Sequence, residues 1–108
     1  MFPKLTEMDA QALKDKFPGK RLRQIDACGA TIVVRPPTEP EIVRLNTAAV
    51  DKERRLTAAN RLLRDCCVWP AEVALNDILR ELPGLPLSVS DEILELSGMT
   101  SDVEKKDL

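Results

Sequence analysis

Between the prolines at positions 36–37 and 70, apolar residues return at alternating intervals of three and four: Ile42, Leu45, Ala49, Leu56, Ala59, Leu63 and Cys66. That spacing predicts the buried stripe of amphipathic helix. Pro36 and Pro37 fix φ and carry no N–H, so an incoming strand ends at them. Thr38 is placed to act as an N-cap, Glu41 completes a capping-box pattern with it, and Pro40 suits the first helical turn. Lys52 falls where the series asks for an apolar residue, inside the charged block DKERR at 51–55, and Asn46 and Thr47 are weak helix formers. Residues 39–69 therefore read either as one long rod or as two helices with an exposed elbow near 47–53. The second half, LTAANRLLRDCCVW, predicts helix with Leu62, Leu63, Cys66 and Cys67 on its buried face, and Pro70 forces a turn after it.

The other segments read as partners for that stripe. TEMDAQALKDKF predicts a short helix capped by Thr6 with Asp9 in the capping-box position, with Met8, Ala12 and Leu13 on one side and Pro18 and Gly19 as its stop. RLRQIDACGATIVVR predicts a β-hairpin: Leu22 and Ile25 on the first strand, Ile32, Val33 and Val34 on the second. Ala27, Cys28 and Gly29 make the turn, and Gly29 is the residue suited to positive φ. AEVALNDILREL predicts a helix with Val73, Leu75, Ile78, Leu79 and Leu82 inside, ended by Pro83 and Gly84. A connector, LPL, leads to Ser88 or Ser90 as the cap of a last helix, DEILELS, which Gly98 closes. The fold class expected is α+β, predominantly helical: an N-terminal helix, a small β-hairpin, then three or four packed helices. The divisions expected are an N-terminal helical arm at 1–17, a single α+β domain at 18–98, and a mobile polar tail at 99–108.

Composition narrows the chemistry. With 108 residues, 44% apolar and 31% charged, the chain matches one soluble globular domain. No run approaches the ~20 apolar residues of a membrane span, and no signal-peptide core precedes the first helix, which points to the cytoplasm. The chain has no histidine, which removes Ser–His and Cys–His nucleophile pairs and His-containing zinc sites. Three cysteines without CxxC spacing make no Cys₄ site; buried reduced thiols are the simple reading of Cys66 and Cys67, and a vicinal redox pair is the alternative. Phe2, Phe17 and Trp69 are the only aromatic residues, poor material for stacking bases. There is no Gly-rich phosphate loop, HExxH or acidic metal cluster, and the pairs Glu92/Glu95 and Asp77/Glu81 have the spacing of solvated helix edges. No enzyme activity, cofactor or metal is expected.

Charge is unevenly spread. Residues 1–40 hold seven basic and five acidic side chains, residues 41–70 six and four, and residues 71–108 three and nine. Such a gradient steers partners or promotes head-to-tail association into a homo-oligomer, unless the faces are merely solvated. Arg54, Arg55, Arg61 and Arg64 share part of one helical face that could contact phosphate or an acidic partner, but Asp51, Glu53 and Asp65 are interleaved, which favours a solvated face with i,i+4 support.

The order of short motifs carries a resemblance. Arg35, Pro36, Pro37 and Thr38 with Glu41 follow the hairpin, Leu62 and Leu63 with Cys66, Cys67, Val68, Trp69 and Pro70 close the central helix, and residues 82–85 and 96–98 supply LPGL and LSG. Over residues 18–98 this resembles the tail assembly chaperones of long-tailed bacteriophages and prophages; the arm at 1–17 has no counterpart. The resemblance implies a non-enzymatic protein of the bacterial host cytoplasm that binds the long helical tape measure protein and keeps it soluble until tube subunits polymerise. It also implies that a frameshifted longer product would extend from the tail after Gly98. Trp69 is expected either in the core or as an exposed anchor for a partner helix, with Leu82 and Leu85 as further partner-binding candidates. Arg35 is expected to bridge to Glu41 or Glu39, or else to face the partner. Two other functions compete: a structural tail-completion or head–tail joining protein, and a small nucleic-acid-binding regulator using basic residues within 14–23 and 54–64. The last conflicts with the acidic C-terminal third and a pI near 5.2, so nucleic acid is not an expected partner.

Overall fold

The computed structural model describes residues 2–49, 54–98 and 107. Thr6 starts α1 (Glu7–Lys16) as its spacing predicts: its hydroxyl accepts from the Asp9 N–H and its own N–H donates to the Asp9 carboxylate, both at 3.1 Å. Of the apolar side expected for α1, Leu13 alone buries; Met8 is 84% exposed and Ala12 is exposed. The reason is what α1 packs on. Leu13 meets the outer face of the sheet, where it shares a small cavity with Leu5, Ala10, Leu22 and Val33.

The hairpin pairs β1 (Arg23–Ala27) with β2 (Ala30–Val34) antiparallel, Ile25 opposite Ile32 and Ala27 opposite Ala30. Cys28 and Gly29 both take positive φ, 53° and 81°, as a two-residue hairpin loop with the strands' own twist requires. Gly29 was expected there; Cys28 joins it because the loop has only two residues. Along β2, Ala30, Ile32 and Val34 face the main core and Val33 the α1 side.

The helical stripe divides in two. α2 (Glu39–Ala49) and α3 (Arg55–Cys66) are separate helices; of the elbow expected at 47–53, residues 47–49 belong to α2, and 50–53, Lys52 among them, lie outside the described residues, as does the tail apart from Asp107. Ala59, Leu62, Leu63 and Cys66 bury as a stripe, whereas Leu56, near the start of α3, is 43% exposed. α3 does not run on to Trp69. Cys67 turns extended at φ −70° and ψ 120°, and Cys67–Trp69 forms β3, a third strand pairing antiparallel with β2 through a bulge at Val33 and Val34. A β-branched residue, an aromatic and a following proline all favour extended backbone here, and they override the helical period. The sheet therefore has three strands, in the order β1-β2-β3, rather than two.

α4 (Glu72–Glu81) buries Leu75, Ile78 and Leu79, with Leu82 partly buried behind it. Val73, expected inside, is 76% exposed. Two residues before Leu75, it lies about 200° round the helix, on the opposite side. α5 (Leu85–Leu96) begins earlier than the expected serine cap, because Pro86 fits its first turn; LPL is helix, not connector. Arg21 donates to the Leu96 carbonyl at 2.7 Å, satisfying an open end of α5, and Gly98 at φ 100° closes it. Arg23 pairs with Glu92 and Glu95 at 3.0 and 3.5 Å, tying β1 to α5. Ile32, Leu63, Ile78 and Ile93, from β2, α3, α4 and α5, are the largest fully buried side chains and mark the centre of the core. Among the described residues, no helix is long and apolar enough to cross a membrane.

Truncating Leu63 should therefore be costly. Leu63→Ala is expected to lower stability by about 2–5 kcal/mol in urea denaturation, while Met8→Ala stays within about 0.5 kcal/mol of the parent.

Candidate functional site

The residues that carry the motif pattern converge on one junction. Arg35 leaves β2 with its N–H donating to the Cys66 carbonyl at 2.9 Å, so the strand runs straight into the end of α3. Its guanidinium donates to both Glu41 carboxylate oxygens at 3.0 Å, to the Pro36 carbonyl at 3.0 Å and to the Asp65 carbonyl at 2.7 Å. Glu41 also accepts from the Thr38 N–H at 2.7 Å. One fork thus joins β2, the first turn of α2 and the last turn of α3, whose terminal carbonyls have no partner within the helix. Of the two expected acceptors for Arg35, Glu41 is the one engaged.

Both side chains are largely withdrawn from water, Arg35 to 20% and Glu41 to 11% exposure. The guanidinium hydrogen bonds, against the opposing cost of burial, hold the Glu41 carboxyl down at about 2. Cys66 is fully buried and its thiol is pushed up to about 12 by burial; Cys67, partly buried, is pushed up to about 11 for the same reason and donates its S–H to the Trp69 carbonyl at 3.1 Å. Both are protonated, packed thiols at neutral pH, and Cys28 sits exposed at the hairpin tip.

Around the junction, Pro37 and Pro70 are buried, Pro36, Val68 and Trp69 are half-buried, and Thr38 is exposed. Trp69 lies in β3 opposite Val33, not at a helix end. Leu85 is buried at 6% exposure, and Leu82 is half-buried against the core.

Beside the junction runs a groove of about 290 Å³ between α2 and α3. Leu45, Ala48, Ala58 and Leu62 give it apolar lining, and Glu41, Arg44, Arg54, Arg61 and Asp65 its charged lining. Asp65 is shared between two guanidiniums: Arg44 of α2, at 3.3 Å, links the two helices across the groove, and Arg61, at 4.0 Å, pairs with it within α3. Arg54 and Arg61 are expected from the sequence on a solvated face, with contact to phosphate or an acidic partner as the alternative. Arg44, Ala48 and Ala58 were not singled out, although the small residues on facing turns are the signal that two helices leave room between them.

A family model described as a domain of unknown function, DUF6848, matches residues 25–106. The chain belongs to the DUF6848 family. The match takes in the Arg35 junction, the groove and all of α2 to α5, and leaves out α1; it continues past Gly98, where the domain was expected to end. The chain is also similar in structure to an uncharacterised protein, rbstp2171, from Bacillus stearothermophilus, at a TM-score of 0.72 and 22% identity, covering 90% of this chain and 99% of that one. That likeness is one of fold. No curated protein matches the chain.

Two outcomes test the junction. Glu41 has a folded-state pKa far below its ordinary 4.5, so it contributes stability above that value and loses it as pH falls towards about 2. Glu41→Gln is expected to cost roughly 2–4 kcal/mol near neutral pH, and the gap to the parent to narrow steadily below about pH 4.5 in urea titrations. Under native conditions, iodoacetamide followed by mass spectrometry should modify Cys28 and leave Cys66 and Cys67 unlabelled until urea unfolds the chain.

Proposed function

We propose that the chain is a non-enzymatic assembly chaperone for the tails of long-tailed bacteriophages, which holds the helical tape measure protein in the host cytoplasm. The groove between α2 and α3 supports this reading most directly. It has apolar lining between two helices of about three turns each, and a neighbouring fork of hydrogen bonds ties those helices together, which suits the helix-in-groove mode of binding. The motif resemblance supplies the identity of the partner. Of the residues that carry it, Arg35 and Glu41 tie α2 to the end of α3 beside the groove, which supports reading the pattern and the groove together. Buried thiols and a carboxylate held ionised serve this arrangement as packing and clasp.

Co-expression with the tape measure protein of the same phage or prophage tests the reading. The tape measure protein is expected in the soluble fraction with the chain present and in the pellet without it, and mass spectrometry of finished particles is expected to lack the chain. Unchanged solubility would contradict the chaperone function; presence in particles at stoichiometric level would favour a structural tail component instead.

A further inference from the structure

We propose that α1 is a hinged cover for the outer face of the sheet. It lifts as a unit about Gly19 while the rest of the domain stays folded, and its position decides whether the apolar row of Val33 and Trp69 is open to another molecule. This face is a different one from the α2/α3 groove, so the inference stands apart from the proposed function.

The way the arm is held carries the inference. Of the ten residues of α1, Leu13 alone is buried, Asp9 and Ala10 are half-buried, and the other seven are exposed. Leu13 and Val33 both lie outside the main core cluster. Beneath the helix a cavity of about 220 Å³ separates Leu5, Ala10 and Leu13 from Leu22, Gln24 and Val33. Space of that kind forfeits the close contacts that make packing strong. Phe2, half-buried against the core, is the arm's other apolar hold. Among the described residues, every hydrogen bond of residues 2–20 is internal: Thr6 with Asp9, Gln11 with Asp15, and the backbone of the helix and its closing turn. α2 differs in kind, since Glu41 and Arg44 tie that helix to Arg35 and Asp65.

The hinge has a defined place. Gly19 takes φ 76° with open space around it, directly after Pro18. Two residues on, Arg21 donates to the Leu96 carbonyl at 2.7 Å, so movement of the arm stops before β1 begins. A few residues at the end of an element, absorbing the whole change in φ and ψ, are how hinges are built. The DUF6848 family model begins at residue 25, beyond both arm and hinge.

The covered face is apolar where it matters. Gln24 stands opposite Val33 and Val33 opposite Trp69, so the three form one row across the outer face of the sheet. α1 sits over the Gln24 and Val33 end of that row. Val33 is 4% exposed beneath it and Trp69 half-buried beside it. Lifting the helix bares a β-branched and an aromatic side chain side by side, the kind of surface that interfaces favour at their centres.

Native-state hydrogen exchange on the full chain tests the cover. Amides of α1 should show at least about 100-fold less protection than those of β2, with little dependence on low urea, because a local opening exposes little surface. Leu13→Ser should speed exchange in α1 by a further tenfold or so and leave β2 and α4 unchanged, and Met8→Ser should change neither. Trp69 is the only tryptophan and reports the face itself: its quenching by acrylamide should rise at least about twofold in Leu13→Ser. Amides of α1 that share the protection and urea slope of β2 would make the arm part of the cooperative core and overturn the proposal. A Leu13→Ser chain that fails to fold, or that loses protection in β2 as well, would do the same. So would unchanged quenching of Trp69 in a chain whose α1 exchanges freely, because the helix would then cover nothing of the row.

Discussion

One guanidinium organises the junction beside which the α2/α3 groove lies. Arg35 sits where β2 ends, and its fork reaches α2 through Glu41 and α3 through the Asp65 carbonyl. Its position removes most of both charges from water, which makes the pair costly to break from one side only. The prolines on either side make the geometry repeatable. Pro36 and Pro37 end the strand, so Arg35 is the last residue free to donate its N–H to Cys66. Pro70 holds the residue before it extended, which favours Cys67–Trp69 as a strand against β2. Chain direction and charge pairing are thereby solved by the same few residues.

That junction explains the division of labour between the two sides of α3. One side, with Leu62, Leu63 and Cys66, completes a core built with β2, α4 and α5. The other, with Ala58 and Arg61, faces α2 across the groove. A helix can serve both only if something other than core packing fixes its neighbour, because α2 has no fully buried side chain among its described residues; Ile42 and Leu45 are half-buried. The clasp through Glu41 and the tie of Arg44 to Asp65 supply that fixing. Polar contacts therefore shape the groove, and apolar contacts hold the domain beneath it.

Much of this was legible in the chain. The Thr6 and Asp9 capping box, the hairpin about Gly29, the helical stripe from Ala59 to Cys66, the Gly98 stop and the Arg35–Glu41 pair all follow from local chemistry that tertiary packing reinforces. Several features were not read. Cys67–Trp69 looked helical because Cys67 follows the buried stripe, yet strand pairing with β2 is a long-range contact that periodicity does not encode. Val73 looked buried because hydrophobicity alone does not give a residue's angle round a helix; its offset from Leu75 does. The groove escaped notice because it is defined by absence of bulk at Ala48 and Ala58, and its charges come from two helices whose mutual approach is set at a third place, Arg35.

Native-state hydrogen exchange on Arg35→Met tests the central role of the junction most directly. Loss of the fork should strip protection from the amides of α2 while those of β2, α4 and the middle of α5 keep theirs, because the core does not need the clasp and the groove wall does. Unaltered protection in α2 would contradict the account and assign the orientation of that helix to packing instead.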